Sequence, residues 1–330
     1  MSGRGERGVA LLTVLLLVAV MTLLLVAVLD DIRFGLRRAG NAQAVAQAQW
    51  HALGTEAMAM AQIRRLARRD GGRTTLEGGW NGRAFLFPTG DGPGAGFLRV
   101  RIDDGTACFN LNSVVEGAVE QWRRYEPGVQ QYLALLQALE VPAHRAQVLA
   151  DALVDWIDSD QVRSTSGAED ADYAGRRGGY RTGGALLSEV SELRAVAGYD
   201  ATTYARLRPH ICALPEAELS PVNVNTLEED DAVILSMLTG NAVAPEEARR
   251  ILATRPPQGW QDPEAFRSHP ALQAASGSAD FMQQVELHTR YFALHSEVEH
   301  GGAEVVLSAL LERDSAGGVR LLSRRWTPDE

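Results

Sequence analysis

Lysine is absent from the 330 residues, so all 32 basic side chains other than histidine are arginines. That excludes a phosphate-loop lysine and any Schiff-base chemistry; genome composition accounts for the absence without a functional cause. Cysteine is nearly absent too. Cys108 and Cys212 are the only two, and in an oxidising extracytoplasmic compartment they could pair. Neither His-Glu-x-x-His nor Gly-x-Ser-x-Gly occurs, which removes the zinc-hydrolase and nucleophile-elbow readings. His210, close to Cys212, reads as a structural neighbour, and no reacting constellation emerges, so no enzyme activity and no catalytic residue are expected. The net charge of −10 argues against a partner held through phosphates, so no nucleic acid is expected.

What the chain does have is one long apolar run, Val9 to Leu29, behind the polar leader Met1 to Arg7. A run of about 20 residues is enough to cross a bilayer as a helix, and arginines in the leader suit a cytoplasmic flank. A secretory signal peptide would be shorter and end in a small-residue cleavage site, whereas this run ends in Val28-Leu29-Asp30-Asp31. A plain signal anchor fits the hydrophobicity. A third reading uses Arg7-Gly8-Val9-Ala10-Leu11-Leu12, which resembles the prepilin-type leader of type IV pilins and type II secretion pseudopilins. That resemblance implies cleavage by prepilin peptidase after Gly8 and N-methylation of Val9. It also puts Thr13 at the fifth mature position, where such subunits usually carry glutamate. An unpaired carboxylate in hydrocarbon costs several kcal/mol. Threonine removes the need for a partner cation, as a first-added subunit would tolerate.

Beyond the run, Ile32, Leu36, Ala39, Ala46, Trp50, Leu53, Ala57 and Met60 form an apolar stripe with helical spacing, which predicts a helix continuing to about Arg69. Gly35, Gly40 and Gly54 argue against its being straight. Past Gly71-Gly72 the period changes. Arg83–Phe87 and Phe97–Ile102 read as strands, joined by a glycine-rich hairpin connection at 90–96. Strand signals return only at Phe292–Val298, Val305–Leu311 and Val319–Leu322. Helical spacing fills the interval, at Gln131–Leu139, His144–Ile157, Leu186–Val196, Leu227–Leu238 and Glu246–Thr254. This order predicts an α+β fold, with a pilin-like long N-terminal helix packed on an antiparallel sheet and a large α-helical domain inserted between strands. The predicted divisions are a leader at 1–8, a transmembrane part at 9–29, a first pilin-like part at 30–113, the insertion at 114–285 and the last strands at 286–330.

The insertion carries an ordered series of motifs: Cys108-Phe109-Asn110-Leu111-Asn112, Leu153-Val154-Asp155-Trp156-Ile157-Asp158-Ser159-Asp160, Gly167 to Tyr173, Ser188 to Leu193, His210 to Pro215, and Val222-Asn223-Val224-Asn225-Thr226. With the leader, the series resembles the K-type minor pseudopilins of type II secretion over nearly the whole chain; 179–184 departs from the family pattern. The resemblance implies a single-pass inner-membrane protein with a periplasmic head at the tip of a pseudopilus. It also implies I- and J-type minor pseudopilins as partners, and calcium sites in the helical domain. Asp158, Asp160, Glu169 and Asp172 are the ligand candidates, within a cluster that also holds Asp155 and Asp170. The competing reading is a solvated acidic loop with helix-capping aspartates. A disulfide between Cys108 and Cys212 is expected; two buried thiols are the alternative. A different class, a membrane-anchored DNA receptor, rests on Pro221 to Thr226, which resembles the opening of a helix-hairpin-helix module. The acids that follow weaken it.

Overall fold

A computed structural model describes residues 5–69, 73–92, 94–175, 178–273 and 279–327. Met1–Arg4 of the leader, Gly71-Gly72 and residues 274–278 of the insertion lie outside the described residues, as does Pro93.

Helix α1 runs unbroken from Gly5 to Arg69, 65 residues, or about 100 Å at 1.5 Å per residue. Its N-terminal part is alone among the described residues in being long and apolar enough to cross a membrane, with a mean hydropathy of 3.1 in its most apolar window, none of it buried in the protein. Thr13 and Thr22 return their hydroxyls to the backbone carbonyls of Ala10 and Val18, so neither hydroxyl is left without an acceptor on the apolar run. The three glycines do not interrupt the helix. A side chain at Gly35, Gly40 or Gly54 would meet nothing within 4 Å. Arg68 and Arg69 close the last turn, where cations suit the helix dipole.

The sheet has five antiparallel strands in sequential order: β1 (Ala84–Pro88), β2 (Phe97–Asp104), β3 (Tyr291–His300), β4 (Ala303–Arg313) and β5 (Val319–Arg325). The β3–β4 turn is Gly301-Gly302, both at positive φ (61° and 78°), the backbone a tight two-residue hairpin needs. Ile102, Leu294 and Ala309 share one register row across the sheet. That face packs on Ala48, Ala52, Ala59, Ile63 and Leu66 of α1. The stripe predicted from sequence is therefore real but turned the wrong way. Trp50 is 73% exposed, and Ala46 and Ala57 also face outward, while Leu53 and Met60 are half-buried; Ile32, Leu36 and Ala39 lie where the helix is uncovered on every side. Trp50 and Ala59 differ by about two and a half turns, so they lie on opposite sides of the helix. Alanines form the covered face because they let the sheet approach closely.

The chain leaves the sheet after Asp104 and returns at Tyr291, and the interval builds a second, separate core. Its helices include α2 (Glu126–Ala138), α3 (Ala143–Ile157), α4 (Asp170–Ala174), α5 (Ala201–Leu207), α6 (Ala232–Leu238) and α7 (Pro245–Ala253). Leu186–Val196 is not the predicted helix: only Val190–Arg194 turns, as a 3-10 helix. Asn112 explains this, because its side chain accepts from Leu187 N–H and donates to Leu187 C=O, which holds the backbone extended. Asn110 similarly accepts from Leu214 N–H and donates to Glu216 C=O. Phe109–Asn110 pairs in parallel with Ile211–Cys212, and beside this bridge Cys108 and Cys212 form a disulfide with a Cα–Cα distance of 5.8 Å.

Candidate metal centre

Three aspartates, Asp151, Asp155 and Asp158, follow one face of α3 and its C-cap at i, i+4 and i+7, and all three are buried. Carboxylates inside a core must be hydrogen-bonded, paired or metal-bound, and the first two are provided for. Asp151 accepts from Arg124 Nη1 at 2.9 Å, Gln147 Nε2 at 2.9 Å and Ser166 N–H at 3.1 Å. Asp155 accepts from Ser164 N–H at 3.1 and 3.2 Å. These bonds wrap residues 159–169 over the helix end. The wrap needs Gly167, where a Cβ would sit 1.9 Å from Asp155 Oδ2.

The wrap brings Asp158, Asp160 and Glu169 together, with one oxygen from each within 4.8 Å of the others. Asp158 Oδ1 and both carboxylate oxygens of Glu169 are buried without a hydrogen-bond partner. Burial first, then the carboxylates of Asp160, Asp155 and Glu169, pushes Asp158 up to about 7. Burial and then Asp155 pushes Glu169 up to about 7. Asp160 is exposed, and its Oδ1 accepts from Val162 N–H at 2.7 Å. Orphaned oxygens in an all-oxygen donor set fit a hard divalent cation such as calcium.

Of the four ligand candidates named from sequence, three converge. Asp172 stands apart from that group: its Oδ2 accepts from Glu169 N–H at 3.0 Å and its Oδ1 lies 3.5 Å from Arg163. It acts at the start of α4, as N-terminal aspartates do. Asp170 is engaged by Thr182, through N–H and hydroxyl at 2.9 and 3.0 Å. Asp151 was missed, although its four-residue spacing from Asp155 was a readable signal. The stretch read as a helix-hairpin-helix opening is interior structure. Val222, Asn223, Val224, Asn225 and Thr226 are buried; Asn223 donates to Thr74 C=O and Asn225 to Trp260 C=O, so neither side chain is offered to a phosphate.

A long N-terminal helix laid on an antiparallel sheet, with a helical domain set between two of its strands, defines a pilin-like subunit with an enlarged head. Residues 107–216 and 222–288 match the two family models described as type II secretion system (T2SS), protein K. The chain is 35% identical to type II secretion system protein K of Klebsiella pneumoniae, covering 98% of this chain and 99% of that one. It is 33% identical to that of Aeromonas hydrophila, covering 98% of each. The chain belongs to the type II secretion system protein K family. It also resembles the crystal structure of the GspK-GspI-GspJ complex from enterotoxigenic Escherichia coli, with a TM-score of 0.71 and 30% identity over 85% of this chain and 96% of that one. It is a minor pseudopilin of type II secretion, a structural component of that system.

Proposed function

We propose that this subunit is the non-enzymatic tip of the pseudopilus, starting assembly with I- and J-type minor pseudopilins and capping the filament during export. The observation that carries this reading is the helical mass held between β2 and β3, which makes the head too bulky to accept another subunit above it. Two further features support it. The outward face of α1, from Ile32 through Trp50 to Ala57, is apolar and uncovered, as suits a helix that packs against helices of other subunits. Thr13 asks for no cation from a neighbour above. The likeness to a chain solved in a complex with two other Gsp proteins favours the same partners.

Prepilin peptidase would cut after Gly8 and leave Val9 as the methylated terminus, with α1 as the single inner-membrane anchor and the head in the periplasm. Asp158, Asp160 and Glu169 would hold calcium, which supplies the positive charge that their unpartnered oxygens lack.

The direct test mixes the protein with I- and J-type heads and follows complex formation by size-exclusion chromatography with light scattering. A stable ternary species is expected; no association at micromolar concentration would overturn the proposal. A buried tryptophan at an interface is commonly worth about 2 kcal/mol or more. Trp50→Glu is accordingly expected to weaken association more than tenfold while leaving the melting temperature of the head unchanged. Unaltered association would remove the outward face of α1 from the contact.

A further inference from the structure

The sheet and the helical insertion bury separate cores, and an open cleft of about 640 Å³ lies between them, lined in part by Asp103, Cys108, Arg208 and Arg324. Continuous apolar packing therefore does not fix the angle between the two bodies. Polar ties must do so. Several are partly exposed ion pairs, such as Arg325 with Glu189 at 2.6 Å and Arg290 with Glu216 at 3.1 Å, and exposed pairs hold geometry weakly.

One tie differs. Asp104, the last residue of β2, is buried, and its carboxylate gathers three segments. Oδ1 accepts from Thr106 N–H at 2.7 Å and from the Thr106 hydroxyl at 2.5 Å, where the chain departs for the insertion. Oδ2 accepts from the Thr226 hydroxyl at 2.5 Å, within the insertion, and from the Thr289 hydroxyl at 2.6 Å, where the chain comes back. The Asp104 N–H donates to Asn81 Oδ1 at 2.7 Å, and Asn81 Nδ2 in turn reaches Glu228 at 3.1 Å. Thr289 Oγ1 also accepts from Asn223 Nδ2 at 3.0 Å. Thr226 and Thr289 lie 122 and 185 residues from Asp104 in sequence.

We infer that Asp104 is the positioning residue that sets the angle at which the insertion stands on the sheet, and through it the shape presented to neighbouring subunits. The second half of this inference rests on the tip reading above. A buried carboxylate need not add to stability, because an apolar replacement is often neutral or better. Its use here is directional. Four short hydrogen bonds from three segments are satisfied together at one relative orientation, and a fully satisfied buried network rigidifies what it joins.

The test uses the full chain in detergent micelles, disulfide intact, with spin labels at Arg99→Cys on β2 and Val119→Cys on the insertion, both exposed. Double electron–electron resonance then gives the distance distribution between the two bodies. Asp104→Ala is expected to widen it at least twofold. Should Asp104→Ala fail to fold, the Thr226→Val/Thr289→Val pair, which keeps the Thr106 bonds, is expected to widen it as well. The hydroxyl-preserving pair Thr226→Ser/Thr289→Ser is expected to retain the native width, which a loss of bulk alone would not. A distribution as narrow as the native one in both Asp104→Ala and the valine pair overturns the inference. Binding of I- and J-type heads is measured separately: widening without loss of binding supports the positioning role and overturns its link to neighbouring subunits, whereas failure of the native protein to bind counts against the tip reading alone.

Discussion

Cys108→Ser/Cys212→Ser is expected to destabilise the helical insertion by about 4–5 kcal/mol. The bridge closes a loop with a sequence separation of 104 residues, and in the chain-entropy model a loop of about 100 residues contributes about 4.7 kcal/mol by restricting the unfolded chain. The bridge lies beside the parallel pairing of Phe109–Asn110 with Ile211–Cys212, and Asn110 reaches on to Leu214 and Glu216. Losing it therefore also loosens the seam between the first and middle thirds of the domain. Urea denaturation followed by far-UV circular dichroism, with and without reductant, measures the effect. A loss below 1 kcal/mol would show that the unfolded chain gains little freedom when the bridge opens.

The second large effect depends on pH. Without calcium, the head is expected to lose stability as pH rises from about 4 to about 7, by a few kcal/mol at most. Asp158 and Glu169 ordinarily titrate near 3.8 and 4.5, and each is raised to about 7 in the folded protein. Between these limits the folded state holds protons that the unfolded state has released, so each rise in pH favours unfolding. The contribution is fully present below the unfolded values and is lost as pH passes through the folded ones. Calcium reverses the sign of the local field. At pH 7.5 it is expected to restore stability by about 2.7 kcal/mol at a hundredfold excess over its Kd, and its affinity is expected to fall below pH 7 as protons compete. Asp158→Asn/Glu169→Gln should flatten the pH slope, raise the calcium-free melting temperature at pH 7.5 and abolish the calcium response. Differential scanning calorimetry across pH, in chelator and in calcium, checks all three; a flat calcium-free profile would remove the electrostatic argument.

Much of this architecture was readable because the signals are local. The membrane-length run, the alternation of Phe97 to Ile102 and the glycine turns of the last strands each fix their element within a few residues. The element order then gave the insertion. The covered face of α1 was not readable. Ala48, Ala52 and Ala59 carry little hydrophobic signal, whereas Trp50 on the opposite side carries much, so the apolar stripe marks the outward face. The 3-10 turn at Val190–Arg194 was hidden because its cause, Asn112, lies far away in sequence. The candidate site was half legible for the same reason. The carboxylates could be named from the sequence, but the wrap that unites Asp158, Asp160 and Glu169 and diverts Asp172 to a backbone N–H could not. The Thr226 and Thr289 hydroxyls that meet on Asp104 gave no sequence signal at all.

The sheet first takes hold of α1 at Ala44, where the Gly301 turn presses against it, while the apolar run ends at Leu29. The intervening 14 residues, bare on every side, make a rigid stalk that holds Leu29 and Ala44 about 22 Å apart. With the apolar run seated in a bilayer, as proposed, the globular part would ride clear of the lipid headgroups, and a push or pull on the foot of α1 would travel up one continuous hydrogen-bonded rod with no hinge to absorb it.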